Sequence, residues 1–177
     1  ITQDNVQFGD MEWNYFYSLP HVLCRDTGLQ AFQFKLLHRI FPCNRYLFKI
    51  GKVDTESCET CNVVDDILHY FCDCNIVKDF WTEIAKLWRD KLGVGIVITK
   101  HEKIFGICNI NMEPMLDIIN YIILVAKWFI YQQKKNERLL NMNLFYIELK
   151  SRLEIMEYYM IKKGAQSKFD KKWRLLL

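Results

Sequence analysis

The sequence predicts a mainly α-helical protein: a knuckle of cysteine and histidine braced by helices, followed by a helical bundle. Three observations carry that prediction. Just over half of the residues are apolar (51%) and 15% are aromatic, enough to build a core. Only seven glycines and three prolines interrupt 177 residues, and the runs between them are rich in Leu, Ile, Lys, Glu and Asn, which favours helix over sheet. Between positions 58 and 74 the chain reads CETCNVVDDILHYFCDC, a compact array of metal-ligating side chains.

Taken in order, residues 10–19 (DMEWNYFYSL) crowd Met11, Trp13, Tyr15, Phe16 and Tyr17 together. They read as a short helix or packed aromatic segment that Pro20 ends. Asp26 or Thr27 caps the next helix. Its apolar stripe is Leu29, Phe32, Leu36 and Ile40, with Gln30, Gln33, Lys35, His38 and Arg39 opposite, and Pro42 stops it. A short helix over 44–50 follows, capped by Asn44 and closed by Gly51, with Arg45 and Lys49 sharing a face. Beyond the cysteine array, residues 76–92 put Ile76, Phe80, Ile84, Leu87 and Trp88 on one side of an amphipathic helix that Gly93 and Gly95 end.

Residues 96–98 (IVI) suit one short strand or an extended linker, and His101 falls in a loop. Residues 109–112 are turn-like, and Pro114 suits the first turn of a largely buried helix over about 115–133. Its most apolar run, 118–131, is too short to span a bilayer and contains Asn120 and Lys127, so a core helix and no membrane span is expected. Asn141 or Asn143 caps a helix over about 144–163, before Gly164, and a last short helix covers 167–177. The expected organisation is a helical region carrying the knuckle over 1–92 and a C-terminal helical region over 93–177, able to pack together as one domain.

Within the array, Cys58 and Cys61 form a C-x2-C pair whose thiolates can reach one ion from a tight turn, and His69 follows after seven intervening residues. Cys72 and Cys74 both stand at plausible spacing for the fourth ligand, so geometry alone leaves the two open. Four such ligands would close a tetrahedral shell around one structural Zn2+, with no position left for substrate or activated water. Seven cysteines is an odd number and no secretory signal is seen, which weighs against disulfides. No βαβ pattern supports a redox C-x-x-C, and a set of ordinary buried thiols leaves the histidine unexplained. A reducing compartment, nucleus or cytoplasm, is therefore expected. The polar opening ITQDN, without an initiator Met, reads as the edge of a piece excised from something longer.

The net charge of +3 is unevenly spread: from residue 134 onward eleven Lys or Arg face five Asp or Glu, a local +6 that leaves −3 for the remainder. Such a basic segment suits a polyanionic partner, or simply a solvated helical face. Before the array, Lys35, His38, Arg39, Arg45 and Lys49 ride on two consecutive helices with Tyr46 and Phe48 interleaved. The cations can neutralise phosphates. Packing in the core is the stronger reading for the two aromatics.

No catalytic constellation stands out. Asp65 and Asp66 echo a polymerase carboxylate pair but lie inside the array with no hairpin around them, and read as a solvated loop. There is no H-x-E with P-C-x-x-C of a zinc deaminase, no second ligand set of a RING-type site, no P-loop and no G-x-G-x-x-G.

Together, LQAFQFKLLHRIFPCNRYLFKIG, the C-x2-C pair, HYFCDC and the Phe80-Trp81 pair resemble the zinc-binding domain at the C-terminal end of LINE-type (non-LTR) retrotransposon reverse transcriptases. Gln30, Phe32, Leu37, His38, Arg39, Asn44, Leu47 and Gly51 fall into that family's helix pattern. The resemblance covers residues 11–88, and more loosely 115–173, where a long apolar helix precedes FDKKW. It implies zinc ligands Cys58, Cys61, His69 and Cys74, with Cys72 where the family usually has an aromatic residue. It further implies a non-catalytic domain that contacts template RNA or target DNA during target-primed reverse transcription, beside the upstream reverse transcriptase domain of the same parent protein. A competing expectation is a protein-interaction module, a retrotransposon remnant co-opted by a host or a unit docking onto its own polymerase core, that presents the aromatics near Trp13 and Tyr15.

Overall fold

A computed structural model describes residues 9–93, 95–108 and 115–177, and the fold is mainly α. The helices are α1 (Asp10–Leu23), α2 (Thr27–Leu37), α3 (Asn44–Lys49), α4 (Asn75–Leu92), α5 (Lys100–Phe105), α6 (Met115–Lys135), α7 (Met142–Lys162) and α8 (Gln166–Trp173). A wide helical turn, His69–Asp73, precedes α4, and a tight one, Arg174–Leu176, ends the chain.

The helix boundaries follow capping chemistry. Asp26 starts α2, its carboxylate accepting from the N–H groups of Gly28 (2.8 Å) and Leu29 (3.1 Å). Asn141 starts α7 in the same way, accepting from Asn143 and Leu144. Gly93 ends α4 in the left-handed conformation (φ 67°). Gly51 (φ 68°) closes α3, where the Lys52 N–H donates to Leu47 O and the Gly51 N–H to Phe48 O, the double bond of a Schellman turn.

Several boundaries differ from expectation. Pro20 does not end α1; the helix runs on to Leu23, with the Cys24 N–H donating to Pro20 O (3.2 Å). Pro20 lacks only its own N–H, and burial of Leu19, Pro20 and Leu23 against the core holds the last turn. Nor does Pro42 stop α2. That helix ends at Leu37, because Arg39 turns left-handed (φ 57°) and its N–H donates back to Leu36 O. Ile40, now beyond the helix, is exposed, as is Ile76 at the start of α4, where Val77 and Trp81 are buried instead. Cys43, not Asn44, caps α3, and the Asn44 amide reaches across to Ser57 O (2.8 Å). Residues 95–98 form no strand, and His101 lies in a helix, α5, capped by Thr99 and Glu102 reciprocally. The turn expected at 109–112 and the role of Pro114 lie outside the described residues.

At the centre is α6, which packs against α1, α2, α5 and α7. It is long and apolar enough in composition to cross a bilayer, yet most of its apolar stretch is buried within the protein. Phe80 of α4, Phe129 of α6 and Phe145 of α7 meet ring to ring at 5.3–5.7 Å. Trp173 of α8 packs edge-on to Tyr121 of α6. Two polar residues of α6, Asn120 and Lys127, are buried with partners. Asn120 receives the Ile107 N–H (2.7 Å) and donates to Ile107 O and to the Tyr15 hydroxyl. Lys127 donates from Nζ to Gln33 Oε1 (2.6 Å) and Ile104 O (2.5 Å). Gln33 is thus buried, not on the solvent side of α2 as its spacing suggested. Burial pushes the Lys127 amine down from 10.5 to about 7. The buried side chains form one cluster with members in both the 1–92 and 93–177 stretches.

Candidate metal centre

Residues 57–64 form a small loop pinned by backbone bonds. Ser57 bridges Val64, the Cys58 N–H donates to Val63 O, and the Asn62 N–H donates to Cys58 O, both at 2.8 Å. Asn62 adopts φ 53°, a left-handed conformation that asparagine tolerates better than most residues. This turns the chain so that Cys58 and Cys61 face one point.

The second half of the site comes from the wide turn. Asp66 accepts the His69 N–H (2.9 Å), capping the turn at the residue that bears the imidazole. The turn then widens, with the Cys74 N–H donating to His69 O five residues back. Its side chains divide three ways. His69 and Cys74 point at the cysteine loop. Tyr70 and Phe71 enter the core, where Phe71 meets Phe32 and Phe41 and its carbonyl accepts the Trp81 Nε1–H (2.6 Å). Cys72 points toward α5, 3.7 Å from Lys100 O.

The ligand atoms of Cys58, Cys61, His69 and Cys74 all lie within 4.8 Å of one another, close enough to bind one metal ion. Cys74 Sγ is 4.0 Å from Cys58 Sγ and 3.9 Å from Cys61 Sγ. Sulfurs held about 2.3 Å from a tetrahedral ion stand roughly 3.8 Å apart. His69 Nε2 is buried without a hydrogen-bond partner in the protein, a cost that coordination removes. The residues therefore fit a metal, and Cys72 is outside the set.

Local electrostatics differ across the ligands. The Asn75 N–H, 3.5 Å from Cys61 Sγ, holds that thiol below its ordinary range. Burial pushes Cys74 up to about 11. A cation bound at the centre would oppose that rise, because the thiolate is the ligand. Cys72, pushed up to about 12 by burial, has the character of an inert structural thiol.

Asp65 is not solvated. Buried, it accepts the Asn44 N–H at Oδ2 (3.1 Å), while the Arg45 N–H donates to its carbonyl (3.1 Å) and its own N–H to Glu56 O. Asp66 stays half-exposed beside Arg45 (3.6 Å). With the Asn44 amide on Ser57 O, these bonds bolt α3 to the metal loop. Sequence reasoning missed this brace, although one signal was present: Asp66 stands three residues before His69, the spacing of a helix cap.

Of the basic candidates, Lys35, His38 and Arg39 sit exposed at the C-terminal end of α2, and Arg45 and Lys49 lie exposed on α3. Tyr46 packs partly against the core, but Phe48 is 48% exposed and is not a core residue. Trp13 and Tyr15 pack against the core too, Trp13 edge-on to Phe105 and Tyr15 donating to Ile107 O; they do not form the exposed aromatic surface expected of a docking module. No protein-family model and no curated protein matches this chain.

Proposed function

We propose that the Cys58, Cys61, His69 and Cys74 set binds one structural zinc ion, and that the chain is a non-catalytic, nucleic-acid-contacting domain. Three thiolates and an imidazole in tetrahedral spacing suit zinc, and four protein ligands close the shell. One observation carries the second half of the proposal: α3 and its cations are tied directly to the metal loop through Asn44, Arg45, Asp65 and Asp66. Zinc would order the loop, and the loop would order Arg45 and Lys49 beside Lys35, His38 and Arg39 for contact with a phosphate backbone. The partner class is RNA or DNA, in nucleus or cytoplasm. The parent activity would be that of a LINE-type reverse transcriptase, whose upstream polymerase domain would be the intramolecular neighbour.

A second reading, protein docking, draws support from an open groove of about 910 Å³ between the end of α1, α7 and α8. Leu23, Ile155, Met156 and Met160 give it an apolar floor. Arg25 and Lys168 line it and form no ion pair among the described residues. That combination suits an acidic amphipathic helix.

The test is metal content, then binding. One zinc per chain is expected in protein purified without chelator, lost in His69→Ala and Cys74→Ser but kept in Cys72→Ser. Binding to a structured RNA or a DNA duplex should weaken steeply between two salt concentrations. Absence of zinc sinks the metal assignment. Zinc without any nucleic-acid binding moves the function to the groove, whose apolar contacts are far less sensitive to salt.

A further inference from the structure

The nucleic-acid reading says nothing of whether the ligand is paired, and the surface of α2 bears on that question. Four rings run in sequence across α1 and α2. Trp13 lies 5.9 Å from Tyr17, Tyr17 5.6 Å from His38, and His38 4.0 Å from Phe34, with successive planes tilted by only 32–39°. The inner end is anchored in the core, since Trp13 packs on Phe16 and Phe105. The outer end is open: Tyr17 is 43% and Phe34 53% exposed, and His38 is exposed between them. An aromatic side chain turned to water in the last turn of α2, with no core work to do, needs a reason. An i,i+4 pair with His38 gives it only a weak one.

The cations beside this array are available. Lys35 and Arg39 flank Phe34 and His38 in sequence, and neither is in an ion pair among the described residues. Arg39 is also held in an unfavourable conformation. It occupies the position just past α2 where the turn bonds, Arg39 N–H to Leu36 O and Ile40 N–H to Lys35 O, close a Schellman motif. At φ 57° that position favours glycine. A long cationic side chain kept where the backbone prefers glycine is local strain of the kind that clusters at binding sites.

We infer that Tyr17, His38 and Phe34 form a stacking platform for unpaired nucleotides, with Lys35 and Arg39 on the adjoining phosphates. This rests on the nucleic-acid reading above and narrows it to single strands. Only a base freed from a helix can offer its face to a ring, whereas a duplex presents phosphates alone to such a surface.

The probes are a 20-nucleotide oligouridine carrying one 2-aminopurine, and the duplex it forms with an oligoadenosine bearing one uridine opposite the 2-aminopurine, at matched salt. The single strand is expected to bind at least ten-fold tighter than the duplex, with a change in 2-aminopurine emission that reports stacking. Phe34→Leu keeps apolar bulk but removes the ring, and should weaken single-strand binding by roughly five- to hundred-fold and abolish the emission change. Arg39→Gly should move two readouts in opposite directions, raising the thermal midpoint while lowering affinity. Equal binding of strand and duplex, unaltered in Phe34→Leu, overturns the platform and leaves the phosphate reading standing. No binding of either probe overturns both.

Discussion

The metal loop and the helical core reach order by opposite means. Residues 57–66 bury little hydrocarbon; Val63 and Val64 are exposed, and the loop is held by backbone bonds and Asp65, with Cys58 and Cys61 converging on His69 and Cys74. In α4, α6 and α7 the order comes from area, with Phe80, Phe129 and Phe145 ring to ring and Trp88, Ile119, Ile122 and Leu153 buried. The two regimes meet in the turn His69–Asp73, where adjacent residues serve one and then the other. The comparison teaches that a segment too short to bury its own surface can still be precise, provided its ligands converge.

If the four ligands hold the proposed ion, removing it should break the comparison most severely. In zinc-finger peptides metal binding supplies about 10–16 kcal/mol of folding free energy. Chelation, or His69→Ala, should abolish amide protection over residues 57–66 and in α3. The amides of α6 and α7 should stay protected. Uniform loss of protection across the chain would mean that the core depends on the metal as well.

The mirror experiment is Phe145→Ala, which removes a fully buried ring from the meeting of α4, α6 and α7. A cost of about 3–5 kcal/mol is expected from the lost burial and the cavity left behind. Urea denaturation measures it, and metal content of the folded fraction should remain one per chain. Loss of metal from folded protein would show the two regions to be coupled beyond their shared turn.

A third test, gradual and not all-or-none, sharpens the boundary between them. Lys127 of α6 holds Gln33 of α2 and Ile104 of α5, and its amine titrates near 7 in the folded protein against 10.5 ordinarily. Between those values the unfolded chain binds a proton that the native amine has released, so stability should rise with pH in this window. The slope is at most about 1.4 kcal/mol per pH unit. Below about pH 7 this contribution levels off. Denaturation midpoints of wild type and Lys127→Met, followed from pH 6 to 10, should show wild type gaining on the variant as pH rises, because this slope disappears from the variant; parallel profiles would sink the assignment.

Much of this was legible in the sequence where the determinant is local. Asp26 and Asn141 act within three residues of themselves, Gly51 and Gly93 supply the left-handed turns their helices need, and the four candidate ligands lie within 17 consecutive residues. Distant partners defeated the reading. Gln33 looks like a surface residue until Lys127, 94 positions on, provides its hydrogen bond. Asp65 resembles a loop carboxylate because its donor, Asn44, comes 21 residues earlier. Pro20 signals a helix end locally, but tertiary burial holds a last turn that local propensity would release. The six residues of α5 are too few for a periodic pattern to emerge. Arg39 ended α2 through a backbone conformation that its residue type does not favour.

The buried amine of Lys127 has a bearing on how the chain is handled during synthesis. By length and apolar content α6 qualifies for insertion into a bilayer, and while the chain is still emerging its covering helices are not all in place. A lysine near the middle of such a segment raises the free energy of translocon-mediated insertion by about 2.5–3.5 kcal/mol. The same side chain that crosslinks α2, α5 and α6 in the finished protein therefore biases the nascent helix away from lipid before those contacts have formed.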